Sequence, residues 1–356
     1  MTIDAFRNCL FLKHQTKCNE NRARMALLNN DAHQDEQFYD IIGDVHGQHL
    51  LLQKLLLKLG YALLNGVWTH PHRKAVFVGD FINRGPNSKG VLNMVRDMVA
   101  SGSALAILGN HEINAIYYFT KDDDGNPLRI PGNNNRRILD KFAAEYFNSP
   151  KALKRDIKWL RTLPLFLNLN GARVVHAYWN NEHIERIAAL HTDGRLKKST
   201  LQQLLTEGPL KKAFFETIKG IELSMPNDLV IKDSLNNKRD NFRVKWWVKP
   251  KGKTFRKLSY GNKFELPDYT IPNELISKYA VYPKSAPIVF IGHYCMGKGP
   301  MIPTHNVCCV DACVSNCGRL AAYQYNGEQV LDAQNFVFVT EAHHRQPAPV
   351  IKKMRL

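Results

Sequence analysis

The chain has 356 residues and a mass of 40.7 kDa, with 49 Lys and Arg against 32 Asp and Glu, a formal charge of +17. A hydrophobic fraction of 44% and a charged fraction of 23% are those of a folded globular protein, which excludes collagen-like, fibrous and wholly disordered chains. The positive charge favours anionic partners and leaves nucleic acids, acidic membranes, phosphoproteins and nucleotides all open.

Membrane and export signals are missing from the sequence. The longest apolar runs, such as residues 104–108, are far shorter than the roughly 20 residues of a membrane helix. The first 20 residues lack the apolar stretch of a secretory signal. Seven Cys, an odd number in a long chain, fit a reducing compartment better than a disulfide framework. We therefore expect a cytoplasmic protein without membrane contact.

The first predicted unit is a strand, a polar turn and a helix. The strand covers residues 38–42, and the turn that follows it carries Asp44 and His46. A leucine-rich helix is predicted over 50–59, where Gly60 follows as the residue that ends it.

The same order recurs twice along the chain. A β-branched strand over 75–78 ends at Asp80 and leads into a helix predicted over 90–99. A strand over 104–108 ends at Asn110 and His111, where a further helix is predicted to start. Three such repeats predict an α/β sheet whose polar side chains gather at the carboxyl ends of its strands.

Two later predicted strands each end in a histidine, His176 and His293. The long segment between them is predicted to be helical at first, over 184–190, 200–205 and 210–218, and irregular and basic later. At the end of the chain, alternating runs over 319–325 and 335–340 flank Asn326-Gly327, a hairpin signal.

The five strand ends carry only side chains that suit Mn, Fe or Zn. These side chains are Asp44, His46, Asp80, Asn110, His111, His176 and His293. A carboxylate can bridge two ions, and a pair of ions about 3.5–4 Å apart can hold an attacking hydroxide in line with a phosphoryl group. The spacing therefore predicts a two-metal site.

Two of the turns are rare as sequences. Gly-Asp-x-His-Gly, at residues 43–47, occurs by chance in about one chain in several hundred, and Gly-Asn-His-Glu, at 109–112, is about as rare. The probability that both motifs occur by chance in this order, each after a predicted strand, is below about 1%.

These blocks, together with residues 79–85, resemble the three signature blocks of the PPP-type branch of calcineurin-like metallophosphoesterases. The segments around His176 and His293 and the stretch 309–323 resemble a bacterial subgroup of that branch, which includes enzymes acting on phosphotyrosine as well as phosphoserine and phosphothreonine. The resemblance covers about residues 38–340.

The resemblance implies an α/β fold, a four-layer αββα sandwich. It would be one metallophosphoesterase domain over 38–340, with an insertion at about 180–285 as a cap or lid. A polar arm over 1–37 and a basic tail over 341–356 would flank it.

The resemblance also implies roles for single residues around two divalent ions, Mn, Fe, Zn or Mg. Asp44 and His46 would hold the first ion, Asp80 would bridge, and the second ion would be held by Asn110, His176 and His293. Arg84 and Asn110 would bind the phosphate, since the planar fork of Arg suits its oxygens. His111 would protonate the leaving oxygen.

One position departs from the family pattern, which has Asp where this chain has Asn83. An amide oxygen can still accept a hydrogen bond from His111 and orient it, but it does not stabilise an imidazolium charge. A phenol has a pKa near 10, so it is a better leaving group than an alcohol. Hydrolysis of an aryl phosphate therefore depends less on a proton from His111 than hydrolysis of an alkyl phosphate does. We hypothesise that Asn83 biases the enzyme towards phosphotyrosine or aryl phosphates; the alternative is that it only tolerates weaker chemistry.

The family places a second phosphate-binding Arg before the last His, and the candidates are Arg239 and Arg243, with Arg243 preferred. Alternation predicts Arg243, Lys245 and Trp247 on one face of a strand. The alternative is a solvated basic strand. Tryptophans among basic residues also suit nucleic acid, but without a recognised binding fold we expect a wall of the active site.

Four Cys near the end of the chain raise the question of a zinc site: Cys308, Cys309, Cys313 and Cys317. Their spacing is not that of two Cys-x-x-Cys knuckles. Two core thiols and two thiols near a turn are the preferred interpretation.

The predicted reaction is hydrolysis of a phosphomonoester by a metal-bridging hydroxide, without a phosphoenzyme. The expected substrates are phosphorylated proteins or small phosphoesters. A dinucleoside-polyphosphate hydrolase stays open as an alternative, as does, less favoured, a non-catalytic phosphate-binding scaffold. Metal identity, target and oligomeric state do not follow from the sequence.

Overall fold

The computed structural model describes residues 37–341 apart from 192–193, 226–230, 233–237, 240, 261–265, 267, 278 and 296–298. The predicted arm and basic tail therefore lie outside the described residues, except for residues 37 and 341. Among the helices of the described part, none combines the length and the apolar character needed to cross a bilayer.

Two five-stranded sheets form the centre of the fold. The strands in chain order are β1 (Phe38–Ile42), β2 (Ala62–Leu64), β3 (Val67–Thr69), β4 (Arg73–Phe77), β5 (Ala104–Ala106), β6 (Phe166–Leu169), β7 (Ala172–Val175), β8 (Glu222–Ser224), β9 (Ile231–Lys232), β10 (Lys238–Arg239), β11 (Asn241–Arg243), β12 (Ile288–Ile291), β13 (Met301–Thr304), β14 (Val307–Cys309), β15 (Arg319–Tyr325) and β16 (Phe336–Thr340). The first sheet has the order β16-β15-β1-β4-β5, and the second has the order β13-β14-β12-β7-β6. The remaining strands pair as β2-β3, β8-β11 and β9-β10.

Helices surround these sheets. The α-helices in chain order are α1 (His49–Lys58), α2 (Ser88–Ala100), α3 (Asn110–Phe119), α4 (Asn133–Ala144), α5 (Pro150–Leu160), α6 (Asn181–Ala188), α7 (Lys198–Gln203), α8 (Pro209–Lys219), α9 (Phe255–Leu258), α10 (Asn273–Ile276) and α11 (Val314–Cys317). Short 3-10 turns cover Ala189–His191 and Ala333–Asn335. The predicted helix 90–99 begins earlier, at Ser88, because the Asn87 carboxamide oxygen accepts the N–H of Gly90 at 2.7 Å and caps it.

The two sheets pack face to face, as the alternation of side chains along their strands dictates. Ile41 and Val76 point into the core between the sheets, whereas Ile42 and Phe77 belong to the core beneath the helices. Across the sheet interface, the Phe290 ring of the second sheet lies 5.3 Å from the ring of Tyr323 in the first. The predicted αββα sandwich is confirmed.

Strand direction positions the site. β1, β4 and β5 run parallel in the first sheet, and β7, β12 and β14 run parallel in the second. Six carboxyl ends therefore supply the turns in which the candidate ligands lie, and these side chains meet between the two sheets.

The segment between the two late histidine-bearing strands packs on the main body through a shared core. Helices predicted over 184–190, 200–205 and 210–218 correspond to α6, α7 and α8. The Trp246 indole N–H donates to the carbonyl of Ala177 at 2.9 Å, next to His176. This segment thus contacts the turn after β7 directly.

One local prediction is wrong, and another is confirmed with a longer connection than the sequence indicates. The strand expected to carry Arg243, Lys245 and Trp247 ends at Arg243, and Trp247 is buried with its ring 5.1 Å from that of Tyr294. Packing of the indoles against the core outweighs the alternation. β15 and β16 do pair as an antiparallel hairpin, but ten residues join them, so Asn326-Gly327 does not form the whole connection.

Candidate metal centre

Sharp turns at the strand ends aim polar side chains into one site. Asp44, His46, Asp80, Asn110, His111, His176, His293 and Asp311 follow six strand ends. His46, Asp80 and His293 have φ values of 45°, 53° and 63°, in the left-handed region that non-glycine residues rarely adopt. Such strain persists where the surrounding structure fixes it, as at functional sites.

Glycines make room for the carboxylates. A Cβ on Gly292 would lie 2.1 Å from the Asp44 Oδ1, and one on Gly109 would lie 2.3 Å from the Asp80 Oδ1. These two glycines are therefore required by the close approach of a candidate ligand side chain.

Asp80 lies at the centre of the cluster. Its Oδ1 is 3.4 Å from the His176 Nε2 and accepts the backbone N–H of His111 at 3.0 Å. Its Oδ2 is 3.8 Å from the His46 Nε2 and 4.0 Å from the His111 Nε2. The two oxygens face different histidines, which is the arrangement that a bridging ligand needs.

Two histidines are oriented by backbone carbonyls. The Nδ1 of His46 lies 3.2 Å from the carbonyl oxygen of Ile82, and the Nδ1 of His176 lies 2.7 Å from that of Val78. Because a carbonyl only accepts, Nδ1 carries a proton in each ring, and Nε2 is the nitrogen that faces the site. This is the usual outer hydrogen bond of metal-binding histidines.

A hydrogen bond joins Asp44, which follows β1 of the first sheet, to His293, which follows β12 of the second. The Asp44 carboxylate accepts the backbone N–H of His293, with distances of 3.2 Å to Oδ1 and 3.1 Å to Oδ2. The His293 ring centre is 5.1 Å from that of His176, and its buried Nε2 has no hydrogen-bond partner among the described residues. A bare, buried imidazole nitrogen of this kind is available to a cation.

Two groups of three have their ligand atoms within 4.8 Å of one another: Asp80 with His176 and His293, and Asp80 with His46 and His111. The first group, with the Asn110 Oδ1 3.2 Å from the His176 Nε2, brings together the ligands predicted for the second ion. The other group contains His111 where Asp44 was predicted. Asp80 is the member that the two groups share, whereas Asp44 belongs to neither group and contacts the backbone N–H of His293.

Buried carboxyl groups give the cluster its electrostatic character. Burial, with the nearby charge of Asp311, raises the pKa of Asp44 well above its usual value. Burial also raises the pKa of Asp80, but His176, His111 and His46 outweigh it and hold that pKa well below the usual value. Oxygen and imidazole donors concentrated away from water fit divalent cations, whose charge would offset their repulsion.

The predicted catalytic residues lie beside this cluster. The Asn83 Nδ2 is 2.8 Å from the His111 Nδ1, so the structure presents the amide nitrogen where an accepting oxygen was expected. The exposed Arg84 places Nη2 at 3.4 Å from the His111 Nε2. Burial, opposed by Asp80 and assisted by Arg84, lowers the pKa of His111 to about 4.

Of the two further arginine candidates, Arg243 lies near the site. Its charge, after burial, is the main influence that lowers the pKa of His293, and its guanidinium carbon lies 6.0 Å from the Tyr294 ring centre. The Arg243 Nη2 also lies 3.4 Å from a Glu222 carboxylate oxygen. Arg239 belongs to β10, but its side chain lies outside the described residues.

Sequence reasoning missed two buried carboxylates. Asp311 follows β14 and is 4% exposed, and burial raises its pKa to about 6. Glu112 is fully buried and accepts the backbone N–H groups of Asp80, Phe81, Ile82 and Gly109, at 2.7–3.3 Å. A Glu three residues after the start of a helix is a capping signal, which points to the Gly109 bond but not to the Asp80 turn.

The Glu112 carboxylate therefore holds the Asp80 turn in its strained conformation, and Glu112→Gln should loosen it. A Gln has one acceptor oxygen and would press an NH₂ group against backbone N–H donors. We expect Mn²⁺ affinity to fall by about 10–100-fold, as for other outer contacts of metal ligands, with the circular dichroism unchanged. Calorimetric titration of the metal-free protein with Mn²⁺ measures this affinity.

The matched control is Glu145→Gln, which alters a carboxylate that accepts one backbone N–H, that of Lys89, away from the site. The control should bind Mn²⁺ as the unmodified protein does. Equal affinities for all three proteins would contradict the role given to Glu112.

The cysteines are arranged partly as expected. Cys308 and Cys309 are buried free thiols in β14, as the preferred interpretation has it, whereas Cys313 forms a disulfide with Cys295. Cys317 is a free, exposed thiol. The chain thus contains one disulfide among its described cysteines, a pairing that the count of seven did not predict.

Comparisons with known proteins identify one family and several relatives. The sequence model of the family described as "Calcineurin-like phosphoesterase" matches residues 39–296. The chain is 37% identical over 145 residues to "Bis(5'-nucleosyl)-tetraphosphatase PrpE [asymmetrical]" of Oceanobacillus iheyensis, covering 39% of this chain and 54% of that protein. The protein of the same name from Bacillus subtilis is 34% identical over 146 residues, with coverage of 39% and 56%. The chain thus spans little more than half the length of these relatives.

Among solved structures, the cold-active protein-tyrosine phosphatase of a psychrophilic Shewanella aligns over 83% of this chain and 81% of that one. The TM-score is 0.45 and the sequence identity 16%. A protein serine/threonine phosphatase of Saccharomyces cerevisiae aligns over 88% and 82%, with a TM-score of 0.44 and 15% identity.

Proposed function

Because the chain belongs to the calcineurin-like phosphoesterase family, we propose that it hydrolyses phosphomonoesters, with phosphorylated protein side chains as its substrates. The observation that carries this proposal is the position of Asp80 between two groups of histidines, beside Arg84 and His111. Such a site combines ligands for two cations with a phosphate-binding guanidinium and a proton-carrying ring. These are the parts that phosphoester hydrolysis requires.

We assign the first ion to Asp44, His46 and Asp80, and the second to Asp80, Asn110, His176 and His293. When bound, two divalent ions would neutralise phosphate charge and make water a stronger nucleophile near neutral pH. Mn, Fe, Zn and Mg all suit such ligands, so the choice among them depends on supply.

Three side chains beside the metal ligands would then act on the substrate. Arg84, exposed at the rim, would bind two oxygens of the phosphate through its planar fork. As the water oxygen bonds to phosphorus, the ester bond breaks, and His111 would give its proton to the departing oxygen. Asn83 would keep the His111 ring in place through the contact to Nδ1.

The segment over about 180–285 would form one wall of the substrate entrance. Its support is the hydrogen bond from Trp246 to Ala177 and the packing of Trp247 on Tyr294, since these contacts join the segment to the turns after β7 and β12. Arg243 projects from the same segment and would add a second phosphate contact near His293.

Dinucleoside polyphosphates are the second candidate substrates. The names of the relatives from Oceanobacillus iheyensis and Bacillus subtilis favour them, and the charge of +17 suits a polyanionic nucleotide. A non-catalytic scaffold is the least favoured alternative because all six predicted ligands are present.

The deciding experiment is a panel of substrates with Mn²⁺, Zn²⁺ and Mg²⁺. Peptides with phosphotyrosine, phosphoserine and phosphothreonine are compared with diadenosine tetraphosphate by kcat/KM. The proposal expects a phosphopeptide to be the best substrate. A larger value for diadenosine tetraphosphate would replace it with the second candidate, and no turnover with two metals bound would favour the scaffold.

The identity of residue 83 is expected to set the preference between leaving groups. Asn83→Asp would replace the amide that contacts the His111 Nδ1 at 2.8 Å with a carboxylate. The change should strengthen proton donation by His111, since charge-assisted hydrogen bonds are about twice as strong as neutral ones. We expect kcat for phosphoserine peptides to rise by about tenfold relative to phosphotyrosine peptides, or about 1.4 kcal/mol. An equal change for both peptides would show that Asn83 does not select the substrate.

A further inference from the structure

One covalent bond joins two turns of the metal centre. Cys295 lies two residues after His293, and Cys313 lies two residues after Asp311. β12 and β14, which precede these turns, are parallel neighbours, and the two cysteines have Cα atoms 4.8 Å apart and share a disulfide. The bond therefore ties a candidate metal ligand to a neighbouring buried carboxylate.

We propose that Cys295 and Cys313 form a thiol–disulfide exchange site for dithiol reductants, and that its reduction weakens metal binding through the His293 turn. This inference rests on the proposed function only in regarding the Asp80 cluster as a metal centre. It would place metal occupancy, and with it activity, under redox control.

The geometry of the two turns is the first reason. His293 and Cys313 both have φ of 63°, a conformation that favours glycine and that a side chain keeps only where its surroundings enforce it. The Cys313 N–H donates to the Asp311 Oδ1 at 2.8 Å, so the disulfide fixes Cys295 against the turn that Asp311 stabilises. Opening the bond removes a covalent restraint two residues from His293.

Access to the sulfur atoms is the second reason. Cys295 is half-exposed, whereas Cys313 is 2% exposed, so a reductant reaches the sulfur of Cys295 first. Cys308 and Cys309 are fully buried and lie outside its reach. Exchange would therefore be confined to the disulfide itself.

The chemistry is balanced by one dithiol. A thiolate of the reductant attacks the Cys295 sulfur, breaks its bond to Cys313 and releases the Cys313 thiolate, which takes up a proton. The second thiol of the reductant then displaces Cys295 from the mixed disulfide. The reductant becomes a cyclic disulfide, its two electrons reduce the protein, and Cys295 and Cys313 end as thiols.

The test compares Mn²⁺ binding to the oxidised and reduced full-length protein. The protein is reduced with dithiothreitol, freed of reductant under nitrogen, and titrated calorimetrically; alkylation and mass spectrometry count the thiols. We expect two additional thiols and an affinity for Mn²⁺ about tenfold lower, the size of other losses of support for a metal ligand. Reoxidation should restore the affinity.

Two variants separate the disulfide from other effects. Cys313→Gly removes the bond yet keeps the turn, because Gly adopts a positive φ freely, and it should bind Mn²⁺ as weakly as the reduced protein in both conditions. Cys317→Ser, which alters the exposed free thiol, should keep the full response.

The inference fails if oxidised and reduced proteins bind Mn²⁺ equally, or if Cys313→Gly binds like the oxidised protein. Its failure is distinguishable from that of the proposed function because metal binding is measured without a substrate. A redox-dependent affinity with no phosphoester turnover would overturn the function alone. Normal turnover with a redox-independent affinity would overturn this inference alone.

Discussion

Asp80→Asn is expected to lower kcat/KM for p-nitrophenyl phosphate by about 10³-fold or more, because it removes a charge that both ions would share. The Asp80 oxygens lie 3.4 Å from the His176 Nε2 and 3.8 Å from the His46 Nε2, and Asp80 is the residue that the two groups of candidate ligands share. An amide has one coordinating oxygen and no charge, so at most one ion would keep this ligand. Bound metal should accordingly fall from about two equivalents to one or fewer.

The measurement combines steady-state kinetics with metal analysis by mass spectrometry on the same samples. Asp97→Asn is the matched control, since Asp97 is half-exposed on α2. Its Oδ1 lies 3.6 Å from the Arg96 Nε in a surface ion pair. Surface pairs of this kind contribute about 0–1 kcal/mol, so this variant should retain activity and metal. An Asp80→Asn protein with two equivalents of metal and full activity would refute the shared-ligand arrangement.

His111→Asn is expected to divide the substrates by their leaving groups. General acid catalysis contributes about 10²–10⁴-fold, so we expect the rate for phosphoserine peptides to fall by about 10³-fold. The loss should be smaller, about tenfold, for an aryl phosphate, whose phenol leaves with a pKa near 10 and needs less help. The ring is positioned for this role by the 2.8 Å contact from Asn83 to Nδ1.

The competing role for His111 is that of a metal ligand, since its Nε2 belongs to the group of Asp80 and His46. Metal analysis distinguishes the two roles: as a proton donor, His111 can be lost with both ions retained. The exposed His72 supplies the control, His72→Asn, which should change neither the rate nor the metal content. Equal losses on both substrates together with a lost ion would assign His111 to the metal instead.

The main features of the fold follow from local sequence. Each apolar run of three to five residues that precedes a Gly-Asp or Gly-Asn turn forms a strand, and the leucines over 50–59 form the helix α1, which Gly60 follows with φ of 91°. The alternation along β1 and β4 separates the two cores, as period-two patterning requires. Because parallel strands end at the same edge of a sheet, the ligands could be predicted to converge.

The remaining features depend on contacts between distant parts of the chain. Glu112 reaches the turn after β4, about 30 residues earlier, and Asp44 receives the N–H of His293, 249 residues later. Neither contact leaves a periodic signal in the sequence. The pairing of Cys295 with Cys313 depends in the same way on the adjacency of β12 and β14.

The segment over residues 243–247, which contains Trp246 and Trp247, shows that packing can outweigh a local sequence pattern. Alternation over residues 243–247 predicts one polar face, but the Trp246 N–H finds its acceptor at Ala177 and the Trp247 ring packs on Tyr294. Both contacts lie beside turns of the candidate metal centre. Burial of the large aromatic side chains in the core therefore determines their orientation here, and the alternation of residues along the chain does not.

The most direct measurement is anomalous diffraction from crystals of the protein loaded with Mn²⁺. We expect two peaks about 3.5–4 Å apart, the separation typical of two-metal sites. One should lie against Asp44 and His46, the other against Asn110, His176 and His293, with Asp80 between them. A single peak away from Asp80, or two peaks too far apart to share its carboxylate, would contradict a two-metal site bridged by Asp80.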